Sequence, residues 1–499
     1  MRKRVYSFLM MLSFLLVLVS CTNNGPKDTK KTLIIYNNLD ETQQEIVFDN
    51  EDTFSIGDLP NYSESENVFL GYSLSENGEL LEENIEYELY NGLKLYAKYG
   101  IRKDFFHIDT VAEIYITCPT EIISKENYEA ASIVFFDHDF GLRRTPVNIR
   151  LRGNSSLMVD KKSYKLKFDE KIDLFNMGAD KEWALIANYY DPSFLRNYYA
   201  YKLANAMGME YSVECKFANV YLNGINQGLY LFCETIKTSK ERVNIEEDYA
   251  ELEEEIPFMI ELDHKMTESG VNYELIDNEF FFIDKREVGY KHYPIAAQYP
   301  KTFTSKHVSN EQYNYLKNYM INTFESVLNG TYNDYIDMDS FIDYYLIQEL
   351  FMNIDLDYSS VFMYKPLGEK LHFGPVWDFD ISAGNCRYVE KYDPFMPMKD
   401  VNYGSYLFNS LMQEQEVNTL FHSRLEEIGQ DIIPVMLKSF DYNLEIIAPY
   451  SEVDDSIWHT LDEGNWVKPD HLVGISYDEH VNYLHNYLES HYYWILSNM

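Results

Sequence analysis

The stretch Asn148-Ile149-Arg150-Leu151-Arg152-Gly153-Asn154-Ser155-Ser156, followed by Lys161-Lys162-Ser163-Tyr164-Lys165-Leu166-Lys167, decides how this chain reads. Apolar and polar residues alternate up to Leu151 and again from Ser163. The pattern predicts a strand, a Gly/Ser loop and a returning strand that carries lysines. Backbone N–H groups of such a loop, with Arg and Lys beside them, can cradle phosphate. Taken alone, the pattern reads better as a hairpin with solvated charges. The chain as a whole carries a formal charge of −39, so a basic island here stands out.

Working outward, apolar runs predict strands at 113–117, 132–136, 147–151, 163–168, 218–222 and 228–233. Asp191-Pro192-Ser193 has the form of a helix start, with Asp as cap and Pro in the first position, and Gly208 is a natural end. A second helix is expected from Asp339-Ser340 through Leu350. A hairpin follows, over 359–365 and 370–377, with a turn at Pro366-Leu367-Gly368. The last 80 or so residues read as helical. Strands dominate first and helices later, so the expected class is α+β.

Two polar segments flank that second hairpin. One is Asn353-Ile354-Asp355-Leu356-Asp357. The other is Trp377-Asp378-Phe379-Asp380, followed by Ser382-Ala383-Gly384-Asn385. A hairpin can bring Asp355 and Asp378 to the same end. Clustered carboxylates suit a hard cation such as Mg²⁺, and one of them can act as base toward a hydroxyl. Each segment alone is also consistent with ordinary turn and cap aspartates. The basic loop and the two acidic segments together make a site the better reading.

The N-terminus carries a different signal. Arg2, Lys3 and Arg4 precede an apolar run over 5–19, and Leu18-Val19-Ser20-Cys21 is followed by polar residues. That run is shorter than the roughly 20 residues a membrane-spanning helix needs. A basic start, a short apolar core and a small residue before the cut describe an export signal. The Cys after Leu-Val-Ser resembles a bacterial lipobox, with Cys21 as the lipidated first residue of the mature chain. The expectation is a signal peptide over 1–20, a tether over 21–32 and a membrane-anchored protein at the bacterial cell surface. Removing the three N-terminal cations would take −39 to −42. Such acidity argues against nucleic acid as a partner and is compatible with a basic protein or divalent cations. Cys118, Cys215, Cys233 and Cys386 are widely spaced and form no C-x-x-C pair, so buried thiols are expected and a zinc cluster is not, with one disulfide as the alternative in an exported protein.

Residues 33–100 form a separate β-rich segment. It opens with Leu33-Ile34-Ile35-Tyr36 and closes with the alternating Leu93-Lys94-Leu95-Tyr96-Ala97-Lys98-Tyr99. Between them lie Phe69-Leu70-Gly71-Tyr72-Ser73 and a turn at Asn77-Gly78. The segment resembles a small surface repeat of the Listeria–Bacteroides type, with Tyr72 and Tyr99 where that family usually has Trp. The resemblance implies a spacer or adhesive module.

The larger part, 106–499, resembles the spore-coat protein H (CotH) kinase family. The carrying residues are Arg150-x-Arg152-Gly153-Asn154-Ser155-Ser156, Lys161-Lys162-Ser163-Tyr164-Lys165, Arg196-Asn197, Tyr221-Leu222-Asn223-Gly224, Gly228-Leu229-Tyr230 with Glu234, Asn353-x-Asp355 and Trp377-Asp378-Phe379-Asp380. The resemblance implies an atypical two-lobed protein kinase that uses ATP and Mg²⁺ or Mn²⁺. It would transfer the γ-phosphoryl group to Ser or Thr of a protein substrate, here one that is basic or Ser-rich. It makes Asp355 the catalytic base and Asp378 the metal carboxylate, in the role of the aspartate that opens a kinase D-F-G. Asp380 is a second metal or structural carboxylate. Arg152 belongs to the phosphate loop. Either Lys162 or Lys165 reaches the phosphates; the two lie on opposite strand faces. Glu234 either pairs with that lysine or touches the nucleotide.

The chain also departs from the pattern. Five residues after Asp355 a kinase supplies a second metal-binding Asn, and here Ser360 stands there. The helix after Asp191 offers no Glu for the lysine before Glu210. ATP is scarce outside the cell. A catalytically inactive surface scaffold or adhesin, and a nucleotidyl or other phosphoryl-group transferase, are therefore the competing readings.

Overall fold

The computed structural model describes residues 30–37, 39, 42–76, 78–82, 85–262, 280–283, 293–299, 308–356, 359–387, 397–398 and 406–499. The export signal, Cys21, Asn77 of the expected turn and Asp357 lie outside the described residues. Among the described residues no helix is long and apolar enough to cross a membrane. Two compact units are present. One takes the chain up to Ser65 and from Phe69 to Tyr99; the other takes Glu66–Val68 and everything from Gly100.

The first unit contains strands β1 (Lys30–Asn37), β2 (Thr42–Asp49), β3 (Thr53–Phe54), β4 (Asn67–Ser73), β5 (Tyr87–Glu88) and β6 (Leu93–Arg102). Four of them form one sheet in the order β2-β1-β6-β4. The two runs that open and close this segment lie side by side: β1 pairs β6 in parallel, Leu33 opposite Leu93 and Ile35 opposite Leu95. Alternation turns these four side chains, with Tyr72, into one buried core.

The second unit begins with a closed barrel. Its strands are β7 (Ala112–Thr117), β8 (Glu129–Asp137), β9 (Gly141–Leu151), β10 (Tyr164–Asp173), β11 (Ala179–Ile186), β12 (Cys215–Leu222) and β13 (Ile225–Glu234). They close in the order β10-β11-β13-β12-β7-β8-β9. Strand β11 was not among the sequence candidates, because Ala179-Asp180-Lys181-Glu182 hides its apolar half. Strand β13 shows why a run such as Leu229-Tyr230-Leu231-Phe232-Cys233 is continuously apolar. Tyr230 and Phe232 fill the barrel. Leu229, Leu231 and Cys233 point the other way, into the core shared with the helices. A strand buried on both faces loses the alternation that a one-sided strand shows.

Helix α1 (Leu195–Ala206) crosses between β11 and β12. It starts later than the Asp191-Pro192 signal predicts. Asp191 is not its cap; the Asp191 carboxylate instead accepts the Arg196 N–H at 2.9 Å and pairs with the Arg196 side chain at 2.6 Å. Beyond the barrel a five-stranded sheet has the order β15-β16-β14-β17-β18. Its strands are β14 (Phe258–Leu262), β15 (Phe280–Ile283), β16 (Tyr293–Tyr299), β17 (Val361–Lys365) and β18 (His372–Phe373). Among the described residues the unit's further helices include α2 (Asn310–Asn329), α3 (Met338–Phe351), α4 (Tyr406–Gln413), α5 (Gln415–Trp458) and α6 (Tyr477–Asn498).

Helix α3 is buried over most of its circumference, including Phe341, Tyr345, Leu346, Gln348, Glu349 and Leu350. Such a helix belongs inside a core rather than on a surface. Asp337 caps it by accepting the Ser340 N–H at 2.9 Å. It ends where Met352 turns left-handed at φ 47°, which leaves Asn353 buried and brings Asp355 to the cavity. The barrel is bolted to α5 by a fully buried ion pair, Lys161 Nζ to Asp454 Oδ2 at 2.6 Å. Gly228 (φ +79°) lets the chain pass close by; a Cβ there would lie 2.2 Å from the same carboxylate oxygen. The whole chain is thus a mixed α+β protein.

Candidate active site

A cavity of about 840 Å³ opens beside the loop that joins β9 to β10. This is within the usual size range of small-molecule sites, roughly 300–1,000 Å³. Arg152, Ser360, Asp355, Asp378 and Asp380 all line it. Residues 203 positions apart in sequence, Arg152 and Asp355, therefore line one cavity with Asp378 and Asp380.

The loop wall is built locally. Arg152 N–H bonds to Ser163 O at 3.0 Å, closing the hairpin. Gly153 then takes φ +92°, a left-handed backbone that a side chain would strain. The Arg152 guanidinium lies over the Trp377 ring at 5.1 Å. Trp377 in turn stacks on Tyr201 of α1, with centroids 5.6 Å apart and planes 13° apart. The stack fixes where the cation sits at the cavity wall.

The acidic wall is held from two sides. Asn353 Oδ1 accepts the Asp355 N–H at 3.2 Å. Ser360 Oγ donates to Asp378 Oδ2 at 3.2 Å, and Asn197 Oδ1 of α1 accepts the Phe379 N–H at 2.8 Å. Phe379 is fully buried against Phe351. Met352, Ser360, Asp378 and Ala383 all carry left-handed backbones without being glycine, at φ 47°, 63°, 67° and 45°. Such strain survives only where surrounding contacts over-determine it, and it clusters at functional sites. Part of that support is Arg196. Its side chain, fully buried, donates from Nε to Ser382 O at 2.9 Å and from Nη2 to Ala383 O at 3.2 Å.

Asp378, Asp380 and the Ser360 hydroxyl are hard oxygen donors of the type a divalent cation takes. Among the described residues no three His, Cys, Asp or Glu side chains converge on one point. That donor set fits Mg²⁺ or Mn²⁺, which commonly use one or two protein carboxylates and complete their shell with phosphate oxygens and water.

Three of the expected nucleotide contacts are placed elsewhere. Lys162 Nζ turns back into its own loop, donating to Leu157 O at 2.8 Å and to Val159 O. Lys165 Nζ pairs with Glu182 Oε2 of the neighbouring strand β11 at 2.9 Å. Burial lowers the Lys165 pKa, against the pull of Glu182. A lysine–glutamate pair thus exists, but the carboxylate comes from a strand and not from a helix. Glu210 accepts from the Tyr364 hydroxyl at 3.1 Å instead. Glu234 does not meet a lysine. It pairs with Arg242 in a second cavity of about 410 Å³, lined also by Glu214 and Lys237. Burial pushes the Glu234 carboxyl up to about 8 despite Arg242.

Sequence reasoning passed over Glu261, Tyr201 and Trp466, which line the main cavity. Glu261 sits on β14, a strand the sequence did not announce. Asn197 was visible only as half of the Arg196-Asn197 motif, and its partner is a backbone N–H 182 residues away.

No match is found among curated proteins. A family model described as CotH kinase protein matches residues 149–495, well over half of the chain and all of the cavity-lining residues named above. The chain belongs to the CotH kinase protein family.

Proposed function

We propose that this protein is an extracytoplasmic Ser/Thr protein kinase, tethered to a membrane through lipid on Cys21. It would transfer the γ-phosphoryl group of ATP to a hydroxyl of a protein substrate. The observation that carries the reading is the meeting of Asp355, Asp378 and Asp380 with Arg152 across one cavity.

In this reading Asp355 accepts the proton of the acceptor hydroxyl as its oxygen attacks phosphorus. Asp378 and Asp380 would hold the divalent cation, which neutralises phosphate charge. Arg152 and the N–H groups of the Gly153–Ser156 loop would hold the phosphates and orient them in line with the acceptor. Trp377 keeps Arg152 in place, and Ser360 orients Asp378 through its hydroxyl. The acidic surface favours a basic acceptor, which it would attract by long-range steering.

The test is incubation of the purified chain with γ-labelled ATP, Mg²⁺ or Mn²⁺ and a basic, Ser-rich protein, beside Asp355→Asn and Asp378→Asn. Label on the protein in the wild type alone supports the reading. Absence of nucleotide binding by calorimetry would sink it. Transfer of AMP in place of phosphate would replace it with nucleotidyl transfer.

A further inference from the structure

We propose that α1 is the shared support of the two cavity walls, with Asn197 positioning the metal carboxylate and Tyr201 positioning the phosphate-side arginine. The roles of those two walls rest on the kinase reading; the mechanical coupling does not.

Asn197 and Tyr201 are four residues apart and so lie on one face of the helix. Both line the cavity. Asn197 is 2 % exposed and Tyr201 1 % exposed, so neither belongs to the solvent surface. The Asn197 amide oxygen takes the Phe379 N–H at 2.8 Å. That N–H belongs to the peptide directly after Asp378, whose backbone is left-handed at φ 67°. A left-handed aspartate relaxes easily unless the next peptide is held, and the Asn197 bond holds it. The Asn197 amide nitrogen leans on Asn188 Oδ1 at 3.4 Å, which orients the side chain. One helical turn on, Tyr201 stacks flat on Trp377, and Trp377 carries Arg152 on its other contact.

Arg196, next along the helix, is the anchor that keeps α1 in register with the acidic segment. It binds Asp191 on one side and the Ser382 and Ala383 carbonyls on the other. On this helix an amide, an aromatic ring and a guanidinium make the contacts to the two loops. The helix reaches the metal loop through backbone groups, and it reaches the phosphate loop through a ring stack. Asn197 and Tyr201 touch no reacting atom in this scheme, so both are positioning residues.

The two contacts make separable forecasts. Outer-shell partners of metal carboxylates typically change metal affinity about 10-fold to 100-fold when removed. Asn197→Ala should therefore weaken Mn²⁺ binding by about tenfold or more. Nucleotide affinity at saturating Mn²⁺ should stay as in the wild type. Tyr201→Leu should do the reverse, weakening a non-hydrolysable ATP analogue while Mn²⁺ affinity stays. Tyr201→Phe keeps the ring and should behave as wild type, because the stack uses no hydroxyl.

The experiment is calorimetric titration of the full chain and the three variants, first with Mn²⁺ alone and then with the analogue at saturating Mn²⁺. Thermal melts run alongside. Separate movement of the two constants, with melting temperatures near wild type, supports the proposal. Joint movement of both constants in either variant, or no movement, overturns it. A wild type that binds neither probe also overturns it. Binding of both probes without phosphoryl transfer leaves the positioning roles standing and removes the kinase reading alone.

Discussion

Two kinds of charge sit within one core of this protein, and they are treated in opposite ways. Arg196–Asp191 and Lys161–Asp454 are ion pairs with all four side chains fully buried. Arg196 is saturated with acceptors: a carboxylate, a hydroxyl and two carbonyls. The Lys161 ammonium has Asp454 and Leu229 O, and burial pushes its pKa down while pushing that of Asp454 up. Around the cavity the balance is different. The Asp378 carboxylate receives the Ser360 hydroxyl, the Asp378 carbonyl receives the Asn353 amide, and among the described residues no cation pairs with the carboxylate. Charges that hold a fold together are compensated inside the chain. The Asp378 carboxylate, with a hydroxyl as its side-chain partner, is available to something that arrives from outside.

The comparison breaks most sharply on activity. Asp355→Asn and Asp378→Asn remove a charge but little packing, so both variants should melt at or above the wild-type temperature. Phosphoryl transfer should fall by about 10²–10⁴-fold in Asp355→Asn, the usual size of a general-base contribution, and should also fall in Asp378→Asn through weaker hold on the cation. A variant that loses activity together with stability would move these residues into the bracing class.

Breaking a buried pair should give the converse. Arg196→Met leaves Asp191 charged and enclosed, which costs about 3–5 kcal/mol. Chemical denaturation measures it, and the double variant Arg196→Met with Asp191→Leu should recover most of the loss. A single variant within 1 kcal/mol or so of wild type would show that the pair is not bracing the helix.

Protons sharpen the same contrast. His480 and His491 are fully buried, and burial lowers them from the usual 6.5 to about 3 and about 4. The unfolded chain takes up protons at these sites as pH falls through 6.5, while the folded chain does not. Their contribution is complete above pH 6.5 and is lost on the way down toward their folded values, by about 1.4 kcal/mol per pH unit for each ring. Urea unfolding at a series of pH values checks this. His480→Leu should flatten the slope between pH 6.5 and 4.

The smallest expected effect concerns Lys162. Its ammonium serves two carbonyls of its own loop. Lys162→Ala should cost about 1 kcal/mol in stability and change transfer only a few-fold. A loss as large as that of Asp378→Asn would return Lys162 to the phosphates.

How much was legible before the fold was known varies by residue. The strands at 147–151 and 163–168 and the helix ending before Asn353 announce themselves through local period and caps. Asp355 and Asp378 could be paired because a short hairpin separates them. Strand β11 could not be read, because its polar residues Asp180, Lys181 and Glu182 face partners that only the fold supplies. For Lys162, the sequence shows a lysine beside a loop but not which oxygens lie nearest.

Sequence by itself therefore determined the family, the α+β class and the three cavity aspartates, though not Glu261, because these depend on residue type and short spacing. Tertiary structure alone decided which charges are spent internally. Lys161 meets Asp454 across 293 residues, and Asn197 meets Phe379 across 182. Pairing at such separations follows from how strands and helices pack, and no local period records it.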